Sequence, residues 1–233
     1  MGLIHVNMYA TLDGVVEANG GVDPDRETGF EYPGWQGPYF DEESEAQVVA
    51  DVEASDALLL GRRTYDLFRR TWPSATDETG RVFNRIPKYV VSRGRPELSW
   101  AGTTHLTDVA AEVPALRFQH EQIHVWGSAD LIQALLREGL VDRLNLWVYP
   151  IVLGQGQRLF PSGTPPSRFH LHEPPTSFPA GAVLLRYRRV DGRPATSDLT
   201  GTATRSRPPD SGSKNRWHES VIPATSSTTT AST

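Results

Sequence analysis

Two periods of apolar residues alternate along the first 190 positions. "LIHVNMYA" (3–10), "ALLL" (57–60), "KYVVSR" (88–93) and "QIHVW" (122–126) predict strands, and "THL" (104–106) adds a further short one. Helical spacing falls between them. "DEESEAQVVADVEAS" (41–55) predicts a helix with an acidic first turn, which the helix dipole favours. "RRTYDLFRRT" (62–71) predicts one that stops at Trp72-Pro73. "TDVAAEVPALRFQ" (107–119) predicts a third, capped by Thr107 and limited or kinked by Pro114, and "ADLIQALLREG" (129–139) a fourth, closed by Gly139. "DRLNLWVYPIVLG" (142–154) reads as a long strand with alternating faces, and "RFHLHE" and "AVLLRYRRV" as a terminal antiparallel pair. Strand–helix alternation followed by strands alone predicts one α/β domain of three layers. Its central sheet is mixed, mostly parallel and flanked by helices.

The composition changes after Val190. From Asp191 to Thr233, 17 of 43 residues are Ser or Thr and apolar residues nearly vanish, so 191–233 is expected to be a disordered tail and 1–190 the folded domain. The whole chain is 38% apolar and 22% charged, with a net charge of −5 and no cysteine. Thiolate catalysis, disulfides and cysteine metal sites are thereby excluded. An acidic chain without a basic cluster argues against nucleic acid, and no apolar run is long enough to span a bilayer. No basic leader precedes the first strand, so a cytoplasmic protein is expected.

Ligands of open α/β sheets gather at the carboxyl ends of strands, and three corners there carry suitable chemistry. In "LLLGRRTY", Gly61 ends a buried strand and Arg62 opens a helix at once, so unpaired N–H groups and two arginines stand together. In "VVSRG", Ser92 and Arg93 offer a hydroxyl and a guanidinium to a phosphate. In "VWGSADL", Gly127 admits close approach to the backbone, Ser128 can cap the helix or meet a phosphate oxygen, and the amides of Ala129 and Asp130 face the ligand. Taken singly, each reads more simply as a packing corner or polar loop. Together they predict a dinucleotide site with an extra phosphate to hold.

The order and spacing of "TLDGVVEA", "FEYPGWQGPYFDEE", "DALLLGRRTYDLF", "PKYVVSR", "VWGSADLIQALLREGLVDRLNLWVYPIVLGQGQRLF" and "AVLLRYRRV" resemble the dihydrofolate-reductase-like superfamily, nearest to the RibD C-terminal-like reductases of riboflavin biosynthesis. The resemblance implies an NADPH-dependent reductase, a homodimer, and a hydride passed to a C=N or C=O group of a small heterocyclic substrate. It implies that Gly61, Arg62 and Thr64 hold cofactor phosphates and that Ser92 and Arg93 meet the 2′-phosphate. Gly127, Ser128, Ala129 and Asp130 would cradle the pyrophosphate, with Leu12, Asp13 and Gly14 near the nicotinamide. Pro150 and Gly154 resemble the pocket rim.

Such a transfer needs one proton-handling group. Asp13, between a strand and Gly14, is the first candidate, against the plainer role of a turn carboxylate bonded to its own backbone. The acidic group opening the first predicted helix, Asp41 to Glu43, is the second, against a simple dipole-favoured first turn. Phe30, Trp35 and Tyr39, in the Gly/Pro/aromatic loop 20–40, either stack on a flat heterocycle or cover the core. No histidine grouping supplies enough ligands for a metal. The rival reading is a dinucleotide-binding sensor or dimeric scaffold without catalysis.

Overall fold

The computed structural model describes residues 1–21, 29–192 and 194–196. Contacts divide the chain into Met1–Pro194 and Ala195–Thr233, and the fold is that of the first unit. Apart from 191–192 and 194–196, the stretch expected to be disordered lies outside the described residues.

The elements run β1 (Leu3–Thr11), α1 (Glu42–Glu53), β2 (Ala57–Gly61), α2 (Arg62–Thr71), α3 (Glu78–Arg85), β3 (Lys88–Val91), β4 (Thr103–Leu106), α4 (Val109–Leu116), β5 (Gln122–Val125), α5 (Ala129–Arg137), β6 (Arg143–Tyr149), β7 (Arg168–Leu171), β8 (Thr176–Ser177) and β9 (Val183–Val190). One sheet orders its strands β4-β3-β2-β5-β1-β6-β9-β7, with β8 also on β9. From β4 to β6 every pairing is parallel, while β9 joins β6, β7 and β8 antiparallel. The predicted three-layer α/β domain with an antiparallel edge is therefore the observed one.

Alternation along the strands sorts side chains to two faces. Ile4, Val6, Met8 and Ala10 of β1 join Ile123, Val125 and Leu144 in a core under α4 and α5. On the opposite face Leu58, Leu60 and Val90 pack with Tyr65, Phe83 and Trp100, and Trp147, Tyr149 and Leu184 pack with Trp35 and Phe178. Among the described residues no helix is long and apolar enough to cross a membrane.

Four local expectations change. Asp108, not Thr107, caps α4, accepting the Ala111 amide at 3.0 Å, while the Thr107 hydroxyl and amide both donate to Glu112. The carboxylate offers the stronger acceptor. The long strand from 142 ends at Tyr149, after which the chain leaves the sheet at Pro150. No helix was expected at 78–85, where Gly80 breaks the pattern, yet α3 forms because Asp77 caps it and Val82 and Phe83 enter the core. Ser128 makes no side-chain cap on α5.

Candidate active site

Because β1 to β6 run parallel, their carboxyl ends share one edge of the sheet. Ser92-Arg93 after β3, Gly61 after β2, Gly127 after β5, Leu12–Gly14 after β1 and Pro150 after β6 follow one another along it. Two corners touch directly. The Gly61 amide donates to the Gly127 carbonyl at 2.9 Å, and a Cβ on Gly61 would lie 2.8 Å from the Ser128 nitrogen. Gly127, with φ +122°, would bring a Cβ to 2.6 Å from Thr64 Oγ1. Both glycines are thus required by the closeness of the neighbouring corner. The Gly127–Ser128 peptide bond is cis.

α2 and α5 consequently begin side by side. Neither has a side-chain cap, whereas Asp41, Asp77 and Asp108 cap α1, α3 and α4 with carboxylates. The first-turn amides of α2 and α5 therefore lack the acceptor that the other three helices carry within the chain. Asp130 is exposed and turns to Arg63 at 3.6 Å. Arg62 is committed through Nε to Asp66 at 2.5 Å. The Ser92 hydroxyl accepts from the Gly94 amide at 3.1 Å. Arg93 is exposed and has no hydrogen bond or ion pair among the described residues.

Beside these corners stands a rim of two loops. Leu12 donates its amide to Ile151 at 2.9 Å, and Leu12 and Val152 are exposed at 63% and 64%, a large apolar surface at the edge. Asp13 ties the loops together. Its carboxylate accepts from the Thr11 hydroxyl at 2.6 Å and from the amides of Gly154 at 2.9 Å and Leu153 at 3.2 Å. Arg158 reaches both its carboxylate and its carbonyl. The Thr11 hydroxyl first, then these amides, hold the Asp13 carboxyl below the usual carboxylate range. Through these bonds Asp13 clasps the two loops together.

Asp41 is likewise occupied. It takes the Ser44 hydroxyl and amide and the Ala180 amide at 2.7 Å, and these bonds lower its pKa. Trp35 is 5% exposed, edge-on to Tyr149, with its Nε1 on the Glu17 carbonyl at 2.8 Å. It covers the core and offers no free face to a heterocycle. Tyr39 is half-buried against the same tyrosine. Gly14 and Gly154 both open onto free space, and Pro150 lies exposed at the rim.

Sequence reasoning missed three residues here. Gln36 donates to the Tyr149 hydroxyl at 2.8 Å and accepts from Asn19 at 2.6 Å, fastening the 20–40 loop to β6. Glu17 accepts the Gln157 amide at 2.8 Å, and Arg158 clamps Asp13. These are contacts between residues far apart in sequence, and no local pattern marks them.

A parallel sheet edge carrying two adjacent uncapped helix starts and an apolar rim places the chain among open α/β proteins with their site at the strand ends. The chain belongs to the family described as RibD C-terminal domain, which it matches over residues 3–176. It is 29% identical over 167 residues to the uncharacterized protein YyaP of Bacillus subtilis, covering 67% of this chain and 79% of that protein. Its fold is similar to Acinetobacter baumannii RibD, at TM-score 0.56 and 17% identity, covering 82% of this chain and 59% of that one. A pyrimidine reductase-like protein of Corynebacterium diphtheriae matches at TM-score 0.54 and 14% identity, over 82% and 93% of the two chains. A dihydrofolate reductase of Enterococcus faecalis, solved with NADP(H) and RAB-propyl, matches at 0.52 and 15%, over 82% and 98%.

Proposed function

We propose that the protein is an NADPH-dependent reductase acting on a C=N or C=O group of a small heterocyclic molecule. The observation that carries this is the contact of Gly61 with Gly127 and Ser128. It sets two uncapped helix N-termini against each other at the strand ends. Amides so placed donate to a pyrophosphate, the unpaired Arg93 suits a further phosphate, and the donors present thus fit a phosphorylated dinucleotide. A nicotinamide, when bound, supplies the hydride. The chain's own residues bind and orient. Leu12 and Val152 offer an apolar wall that excludes water from a flat ring, and Asp13 holds the two rim loops at a fixed spacing. Titration with NADPH, read by quenching of tryptophan fluorescence, is expected to saturate, and a linear response without saturation removes the assignment.

The engagement of Asp13 favours a second reading, a dinucleotide-binding module without turnover. Saturable NADPH binding with no oxidation of the nucleotide across a panel of imines and carbonyls selects that reading. Turnover on any of them selects the reductase.

A further inference from the structure

On the α1 face of the sheet, one row of side chains crosses five strands. His124 pairs with His5, His5 with Arg143, Arg143 with Arg188, and Arg188 with His170. All five point to one side, because their neighbours Ile123, Ile4, Leu144, Tyr187 and Phe169 join the core on the other. The inner end of the row is closed, with the buried His124 ring stacked on His5 at 4.8 Å. Its outer end is open, with Arg143 half-buried and Arg188 and His170 exposed.

Among the described residues no ion pair balances the charge of this row. Two residues along β9, Arg186 meets Asp51 of α1 at 2.6 Å and Glu173 at 3.5 Å. Arg143 and Arg188 have no hydrogen bond or ion pair among the described residues. Their Cα atoms are those of a directly opposed antiparallel pair, about 5 Å apart. Like charges so placed weaken a sheet. The neighbouring acids are committed elsewhere: Asp142 takes Arg117 at 2.9 Å and the Ile4 amide at 2.8 Å, and Asp51 and Glu173 take Arg186.

We propose that Arg143 and Arg188, flanked by His5 and His170, form a binding site for a compact, doubly charged oxyanion of the phosphate monoester class. Two arginines on directly opposed positions of one sheet face can bring paired donors to one tetrahedral group. A phosphate monoester carries about −1.5 to −2 near pH 7 and matches two unbalanced cations, where a monocarboxylate leaves one over. The site is distinct from the strand-end corners. Arg143 opens β6 and Tyr149 closes it, six residues or about 20 Å away.

The test follows the histidine ring resonances of the full chain by NMR during titration with inorganic phosphate and, separately, acetate. Phosphate is expected to shift His5 and His170 saturably and acetate to leave them unmoved. Arg143→Gln and Arg188→Gln are each expected to weaken the phosphate response by roughly tenfold or more, while Arg137→Gln, exposed on α5 across the sheet, leaves it intact. Both glutamine variants are expected to melt no lower than the parent in phosphate-free buffer, since each relieves a repulsion. The site is overturned by any one of four results: no saturable shift, a shift undiminished in both variants, an equal response to acetate, or variants that melt lower without phosphate.

Discussion

Arg93 sits on the loop after β3 with a guanidinium unpaired among the described residues, in contrast to Arg62 and Arg63, which hold Asp66 and Asp130. A free, permanently charged fork is the group best suited to a phosphate monoester, and NADPH carries one that NADH lacks. Arg93→Ala is therefore expected to raise the Kd for NADPH by roughly tenfold or more and to change that for NADH little. Fluorescence titration of both nucleotides decides it, and equal losses for the two remove Arg93 from that role. Asp13 makes the opposite point at the same scale. A carboxylate beside a glycine at a strand end looks catalytic in isolation. Four partners, one of them 145 positions away, make it a clasp.

Among the elements, the junction of β2–α2 with β5–α5 depends on the absence of side chains at Gly61 and Gly127. Gly61 has φ −71° and ψ 155°, which any residue adopts, so substitution there is opposed by contact alone. A Cβ would meet the backbone nitrogen of Ser128, which cannot swing aside as a side-chain tip would. Gly61→Ala is expected to cost about 1–3 kcal/mol in urea unfolding and to weaken nucleotide binding along with it. Unchanged stability shows that the two corners separate freely, and unchanged affinity shows that their contact does not shape the site. The helix caps follow an equally local rule: Asp77 satisfies the Gly80 amide at 2.8 Å, and this lets a short segment containing glycine become α3.

Across the whole molecule, acid sensitivity should begin at buried histidines. Burial lowers His5 to about 4, helped by the charge of Arg143, and burial lowers His124 to about 3, helped by His5. Both rings are largely neutral at pH 7 in either state. As pH falls below the ordinary value of 6.5, the unfolded chain takes up protons that the folded chain refuses, so stability declines from 6.5 towards about 4. Every tenfold difference in proton affinity between the two states corresponds to about 1.4 kcal/mol. Asp51, raised by burial, works in the opposite sense, whereas Asp13, Asp41 and Glu112, all lowered by hydrogen bonds, lose their contribution further down the scale. Urea midpoints at pH 7, 6 and 5 are expected to fall in that order, with a shallower slope in His124→Gln. A flat profile, or a slope indifferent to that substitution, rules out the buried histidines as the cause.

How much was legible in the sequence differs by level. The order of strands and helices other than α3 and β8, the mostly parallel sheet with its antiparallel edge, and the three corners at the strand ends follow from periodicity and glycine placement, because they depend on residues a few positions apart. The partners of Asp13, Asp41 and Trp35, the latch of Gln36 on Tyr149, and the row from His124 to His170 depend on strand register and loop crossing. They join residues distant in the chain and leave no trace in any short window. The sequence by itself determined which backbone amides would lie bare at one edge. The tertiary structure alone decided which charged side chains were already spoken for, since an acid or a guanidinium is free or engaged only through what folding brings beside it.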